Sequence, residues 1–326
     1  MSQLSKTGAT VGSTLDLYSM RQLEHLLGRS RAELDHLSLN AVRFYEPFPL
    51  RSKQRWFARE VRPPKKRWID HPVDPLKAIQ ARVQERLLIR LVLPEHLLGG
   101  VKGKSIIHNA RMHLGAPCLV TIDIKNFFPS VTPDQVRNVF RTVLNCSPRI
   151  SYLLTGLTTC RGRLPQGAPT SPLLANLVLS AFDGEIRGIC TQAGIRYSSW
   201  IDDLAFSGSS ASGVIGPVVD ALMKAGFRVS HRKIKRMGRG DRKVLNNLVL
   251  GKFVTVQRQH RSRIRAGIHN LKCGRVPIHD FGAYVDGLRG SISYLRLFDP
   301  HRAAEFDLQL QAACAQLGPA KGIPAG

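Results

Sequence analysis

The stretch Ile195-Arg196-Tyr197-Ser198-Ser199-Trp200-Ile201-Asp202-Asp203-Leu204-Ala205-Phe206-Ser207 decides how the chain is read. Apolar and aromatic residues with a β-strand bias flank two adjacent aspartates, a pattern that predicts a β-hairpin with the acidic pair at its turn. Neighbouring carboxylates repel one another. Held at one turn, they suit a hard divalent cation, which takes oxygen ligands, better than a buried ion pair. Alone, an Asp-Asp pair reads first as a solvated turn; a third carboxylate is needed to separate the two readings.

Asp123 is the candidate. In Cys118-Leu119-Val120-Thr121-Ile122-Asp123-Ile124-Lys125-Asn126-Phe127-Phe128-Pro129-Ser130 an apolar, β-branched run carries the aspartate at its end, just before Lys125 and Asn126 break the pattern. A strand end leaves a carboxylate accessible where a core position would bury it. Two strand ends that bring Asp123 beside Asp202 and Asp203 make a two-metal site, with ions about 3.5–4 Å apart that activate a 3′ hydroxyl and stabilise leaving pyrophosphate.

Between these stretches lies Arg163-Leu164-Pro165-Gln166-Gly167-Ala168-Pro169-Thr170-Ser171-Pro172-Leu173-Leu174-Ala175-Asn176. With three such motifs in this order, the chain resembles a bacterial reverse transcriptase, and most closely a retron reverse transcriptase, from about Tyr45 to Leu310. Asn109-Ala110-Arg111-Met112-His113 matches the retron Asn-Ala-x-x-His motif, and Gly287-Leu288-Arg289-Gly290-Ser291-Ile292-Ser293-Tyr294-Leu295 reads like the thumb of this family. The resemblance implies an α+β, right-hand polymerase fold: fingers, a palm with an antiparallel sheet backed by helices, and a helical thumb. The expected divisions are an N-terminal helical extension at 1–44, fingers with part of the palm interleaved at 45–118, palm at 119–254, and thumb with tail at 255–326.

Carried over position by position, the family's metal ligands fall on Asp123, Asp202 and Asp203, with the carbonyl of Ile124 as an extra ligand, and imply two Mg²⁺ ions. Phe128 falls on the ring that rejects a ribose 2′ hydroxyl. Gln166, Gly167 and Ala168 fall on the nucleotide pocket, Arg67 on the fingers residue that meets the triphosphate, and Trp200 beside the primer strand. Asn109 and His113 are assigned structural support or an RNA contact. Phosphate tracking falls to two basic runs, 231–242 with Arg232, Lys233 and Lys235, and 257–265 with Arg261 and Arg265. The implied function is RNA-directed DNA synthesis: dNTPs are polymerised on a cognate non-coding RNA (msr-msd), giving branched msDNA used in anti-phage defence with an effector or toxin protein from the same locus. The rivals are a non-retron prokaryotic defence reverse transcriptase and a catalytically inactive RNA-binding protein. The three retained aspartates speak against the second. Two departures stand out: Trp200 replaces the usual tyrosine before the aspartate pair, and Leu245-Asn246-Asn247 stands where retrons commonly show Val-Thr-Gly.

Composition agrees with a nucleic-acid partner. Forty-eight Lys and Arg against 23 Asp and Glu give a formal net charge of +25, which draws in phosphate backbones and makes their binding salt-dependent. A chain of 326 residues accommodates a polymerase hand without further catalytic domains. No apolar run reaches about 18 residues and no signal peptide opens the chain, so no membrane role is expected. The six cysteines show no Cys-x-x-Cys spacing, hence no zinc site or disulfide framework, and with the missing leader they point to a reducing cytoplasm.

Local signals place the remaining elements. A disordered lead is expected to Ser13, then a helix capped by Thr14 that ends at Gly28, and a capping box at Ser30 and Glu33. Asp74-Pro75 reads as a helix start with Leu76, Ile79, Val83 and Leu87 on its buried face, and Lys77 and Gln80 as candidate template contacts. Thr132-Pro133-Asp134-Gln135 and Ser171-Pro172 open two more helices, the second contributing Leu173, Leu174, Leu177, Val178, Ala181 and Phe182 to the core. Alternation of elements from Leu119 to Phe206 predicts a mixed sheet backed by helices. The tail after Leu317 is expected to be disordered.

Overall fold

The computed structural model describes residues 10–11, 16–50 and 67–321. Most of the expected lead, and residues 51–66 with their many Lys and Arg side chains, lie outside them. Among these residues two compact units form, one up to Asp241 and one from Arg242. The first contains β1 (Thr10–Val11), α1 (Met20–Leu27), α2 (Arg31–Leu39), β2 (Tyr45–Leu50), β3 (Arg67–Pro72), α3 (Leu76–Arg86), β4 (Leu91–Val92), α4 (Ile106–Met112), β5 (Leu119–Asp123) and α5 (Phe127–Ser130). It continues with α6 (Pro133–Thr142), α7 (Pro148–Thr158), α8 (Ser171–Gln192), β6 (Arg196–Trp200), β7 (Asp203–Ser207), α9 (Ile215–Lys224) and β8 (Lys235–Met237). The second contains β9 (Lys243–Leu245), β10 (Leu248–Leu250), β11 (Val254–Val256), α10 (Arg258–Lys272), α11 (Phe281–Arg296) and α12 (Pro300–Lys321).

Capping chemistry fixes several helix starts. Glu33 accepts from the Ser30 N–H at 2.9 Å before α2, and Gln135 accepts from the Thr132 N–H at 2.9 Å before α6, so each box satisfies donors that a helix start leaves open. Helix α1 begins at Met20 behind Ser19 and Gln22, later than expected, and ends at Gly28 in the left-handed conformation; Thr14 lies outside the described residues. Asp74 is not a cap, since α3 starts at Leu76 with no side-chain cap. Helix α12 runs to Lys321, past the point where the tail was expected to lose structure.

The central sheet has the order β6-β7-β5-β8 and every ladder is antiparallel, which corrects the expected mixed sheet. The crossover through α8 does bring β6 in parallel to β5, but the tight hairpin folds β7 into the space between them. Among the described residues an isolated parallel bridge, Leu97 with Ser199, is what remains of parallel pairing on this edge. Leu173, Leu174, Leu177 and Val178 of α8 join Val120, Ile122, Leu204 and Phe206 of the sheet in one core. Each such side chain contributes about 1.5–3 kcal/mol by leaving water. Ala181 is exposed and does not join them.

In the second unit β9, β10 and β11 form a meander. Its first turn is Asn246-Asn247, with φ of 47° and 65°. Two left-handed residues in a two-residue loop give the twist that a β-hairpin needs, and asparagine tolerates that conformation. This is a local backbone reason for the Leu245-Asn246-Asn247 departure. Ile264, Ile268 and Leu271 of α10 and Tyr284, Leu288, Ile292 and Leu295 of α11 are buried in this unit.

Candidate active site

Strand register brings the aspartates together. Asp123, the last residue of β5, pairs directly with Asp203, the first of β7, and the β6–β7 hairpin closes through Ile201-Asp202. Residues opposite one another in an antiparallel pair share a face, so the Asp123 and Asp203 side chains leave the sheet on the same side. The turn is bound to the continuation of β5, where the Ile124 N–H donates to the Asp202 carbonyl at 2.9 Å. Ile201 has φ of 60°, a conformation that a β-branched residue rarely adopts. Ile124 itself is buried.

Three carboxylates at one sheet end must be compensated. Burial, then the charges of Asp202 and Asp123, push the Asp203 carboxyl up to about 6, against the opposing pull of Lys233 and Lys235. Because the folded chain holds this proton more tightly than the unfolded chain, ionising Asp203 lowers stability as pH rises from about 4 to about 6. Lys233 offsets part of the charge: its ammonium lies 2.8 Å from both carboxylate oxygens of Asp123. The Asp123 carboxylate is thus turned to a cation, and among the described residues no three His, Cys, Asp or Glu side chains converge on one ion. Asp123 thus presents two hard oxygen donors to a positive charge, the donor type that a divalent cation takes.

Strand β3 packs over the loop that carries Gln166. The Asp70 N–H donates to the Gln166 carbonyl at 2.8 Å, and Arg163 reaches the Asp70 carboxylate at 3.2 and 3.3 Å. Gly167 has φ of 128°, and a Cβ there would stand 2.6 Å from the Ile69 side chain. The glycine therefore admits the Ile69 side chain and, at 3.1 Å from the same Cβ, the Asp70 carbonyl of β3. Ala168 is buried, with its carbonyl accepting from the Ser171 N–H at 3.2 Å. Gln166 and Trp200 are half-buried. Phe128 is also half-buried; it follows Asn126, left-handed at φ 52°, which turns Phe127 into the core against Phe227. Arg67 opens β3; its side chain lies outside the described residues.

Comparison with known proteins decides the family. The model of the reverse transcriptase family, RNA-dependent DNA polymerases, matches residues 59–260. The retron Ec86 reverse transcriptase of Escherichia coli is 32% identical over 253 residues, 76% of this chain and 77% of its own. The chain belongs to the retron-type reverse transcriptases. Two Myxococcus xanthus relatives agree: the retron Mx162 reverse transcriptase at 32% identity over 79% of this chain and 64% of its own, and the retron Mx65 reverse transcriptase at 29% over 85% and 67%. Among solved structures, an apo telomerase of Candida tropicalis truncated from its C-terminal domain aligns over 77% of this chain and 64% of its own, at 11% identity and TM-score 0.42. As a reverse transcriptase the chain is an RNA-directed DNA polymerase of the right-hand, α+β class. No helix among the described residues is long and apolar enough to cross a membrane.

In this reverse transcriptase the Asn-Ala-x-x-His motif lies inside the protein. Asn109 and His113 are fully buried, which corrects their expected contact with RNA and leaves the structural role. The Ser198 hydroxyl donates to Asn109 Oδ1 at 2.5 Å, so its oxygen is left to accept from His113 Nε2–H at 2.7 Å. His113 Nδ1 then accepts from the Ser207 hydroxyl at 2.7 Å. Burial, with the Arg196 charge second, pushes His113 down to about 4, consistent with a neutral ring. The motif fastens α4 to both strands of the Asp202–Asp203 hairpin.

The basic residues divide by place. Lys233 lies on Asp123, whereas Arg232 and Lys235 are exposed. In the second unit a groove of about 540 Å³ is lined by Arg242, Arg258 and Arg263 with Gln259, Ser262 and Ala266. Arg261 and Arg265, the expected contacts on the same helix, do not line it; Arg265 is exposed and Arg261 half-buried. A charge run names the helix but not the face that forms a groove. Gln80 is also corrected: it is buried and donates to the Tyr45 hydroxyl and the Leu157 carbonyl, each at 2.8 Å, rather than meeting template.

Proposed function

We propose that the chain copies a structured non-coding RNA from its own locus into branched single-stranded DNA, with Asp123, Asp202 and Asp203 as the metal-binding residues, and that the product serves anti-phage defence with an effector protein. The observation that carries the catalytic part is the register of β5 and β7, which sets Asp123 opposite Asp203 with Asp202 in the adjoining turn. The relatives, named as retron reverse transcriptases, support RNA-templated DNA synthesis, and the branched product is what the retron resemblance implies. Two bound Mg²⁺ ions would supply activation of the primer hydroxyl and neutralisation of the leaving pyrophosphate. The chain's own residues do the rest. Gln166 faces the incoming dNTP from a loop fixed by Asp70 and Arg163, Arg67 meets its triphosphate, and Phe128 closes the space beside C2′. In the first unit Arg232 and Lys235, and in the second the arginine-lined groove and Arg265, each carry phosphates of the RNA and its DNA copy. Extension of a DNA primer on an RNA template, with dNTPs and Mg²⁺, tests the polymerase; no incorporation would refute it.

Two further results follow. Phe128→Ala opens the space beside the sugar, so preference for dNTPs over rNTPs falls by about tenfold or more in competition assays; unchanged preference would remove Phe128 as the barrier. Lys233→Ala removes the cation that occupies Asp123. Because the ammonium competes with the metal, Mg²⁺ binding measured by calorimetry should tighten by roughly two- to fivefold, a small change because the lysine is largely solvated. Weaker binding would show that Lys233 assists the ions.

A further inference from the structure

We propose that Gly99 is a positioning residue for DNA synthesis: its bare Cα is the seat on which Trp200 and Ile201 rest, and it sets where Asp202 and Asp203 stand. The inference builds on the reading of those aspartates as metal ligands. A Cβ at Gly99 would lie 2.5 Å from Ile201 Cγ1, 2.6 Å from the Ile201 amide nitrogen and 2.9 Å from the Trp200 carbonyl carbon. Two of these three atoms are backbone and cannot rotate aside. Gly99 is not in the left-handed region, so the demand is for close approach and not for an unusual φ.

The seat is itself fixed. Asn176, fully buried on α8, donates from Nδ2 to the Gly99 carbonyl at 2.6 Å. The Leu98 N–H donates to the Ser199 carbonyl at 2.9 Å, and the Ser199 N–H to the His96 carbonyl at 2.7 Å, so the segment before Gly99 is pinned to β6 at an isolated parallel bridge. Gly100, left-handed at φ 71°, packs on Pro172 at the start of α8. The turn is therefore held on two sides, by Gly99 and by the Ile124 N–H on the Asp202 carbonyl. Ile201 keeps its unfavourable φ because these contacts leave it no alternative. A methyl group at position 99 pushes the turn away by several tenths of an ångström or more, and both aspartates follow.

The test uses the full chain with Gly99→Ala, Asn176→Leu and Gly99→Ala combined with Ile201→Gly. It compares kcat and KM for dNTP, RNA binding, thermal melting, and binding of Tb³⁺ read by tryptophan-sensitised luminescence. Gly99→Ala is expected to melt cooperatively and bind RNA as the wild type does, to keep KM within about twofold, to lose about 100-fold in kcat, and to bind Tb³⁺ about tenfold more weakly. Ile201→Gly, which frees the turn and removes Cγ1, should restore part of both losses. Should Gly99→Ala not fold, Asn176→Leu, which removes only the bond to the Gly99 carbonyl, must reduce the same two quantities. Wild-type kcat and Tb³⁺ affinity in either folded variant would overturn the proposal, as would losses shared equally with RNA binding. If Asp202→Asn leaves Tb³⁺ binding by the wild-type background unchanged, the metal-site reading fails and the proposal with it.

Discussion

Asp202→Asn should lower DNA synthesis by about a thousandfold or more while RNA binding stays within about twofold of the wild type. The substitution keeps the size of the side chain and the turn that Ile124 holds through the Asp202 carbonyl, but removes one of the charges that face Asp203. A purely structural residue at this half-buried turn would show the opposite pattern, with little effect on synthesis beyond a shift in melting. The pair of assays is single-turnover primer extension and RNA binding by filter retention. Near-normal extension would remove Asp202 from the metal-binding residues, and with it the reason for reading the β6–β7 turn as catalytic.

His113→Leu should be the most damaging substitution away from the carboxylates. It leaves the Ser207 hydroxyl without its acceptor in a fully buried site, while Ser198 keeps its bond to Asn109. One orphaned group costs about 1–3 kcal/mol, so a loss of about 2 kcal/mol, or roughly 4–8 °C in melting temperature, is expected. The wild type carries a pH signature of the same network. His113 is held down at about 4 in the folded chain, so the unfolded chain binds the proton first. Stability from this group is complete above about 6.5 and is lost as pH falls towards 4, by on the order of 3 kcal/mol. His113→Leu removes that component. A melting profile with the same pH slope in both proteins would contradict the buried, neutral assignment.

The catalytic hairpin was legible because its information is local. In residues 195–207 apolar and aromatic residues with a β-strand bias flank two aspartates, and the hairpin turn falls at Ile201-Asp202, one residue before the acidic pair expected there. Capping boxes at Ser30 and Thr132 are equally local and stand where the sequence places them. What escaped depends on partners far along the chain. Gln80 looks like an exposed helix residue until Tyr45 and Leu157 close over it. His113 looks like an RNA contact until Ser198 and Ser207, inside the same hairpin stretch, are seen to face it. The contact of Gly99 with Ile201 spans about a hundred residues and leaves only a glycine pair as its trace. Lys233 sits in a run of like charges in which nothing local distinguishes the one that reaches Asp123. Spacing likewise could not tell a mixed sheet from an antiparallel one, because that rests on which side of β7 faces β5.

The proposal that this reverse transcriptase makes branched DNA on its own RNA is tested most directly by the nucleic acid it carries. The gene is expressed with its native flanking DNA, the protein is purified, and the bound nucleic acid is run on a denaturing gel before and after RNase. A discrete DNA band whose mobility changes on RNase treatment is the predicted result, since the DNA remains joined to RNA. Absence of any discrete DNA, with synthesis still present on an added RNA template and DNA primer, would contradict it and leave a polymerase of another prokaryotic defence type.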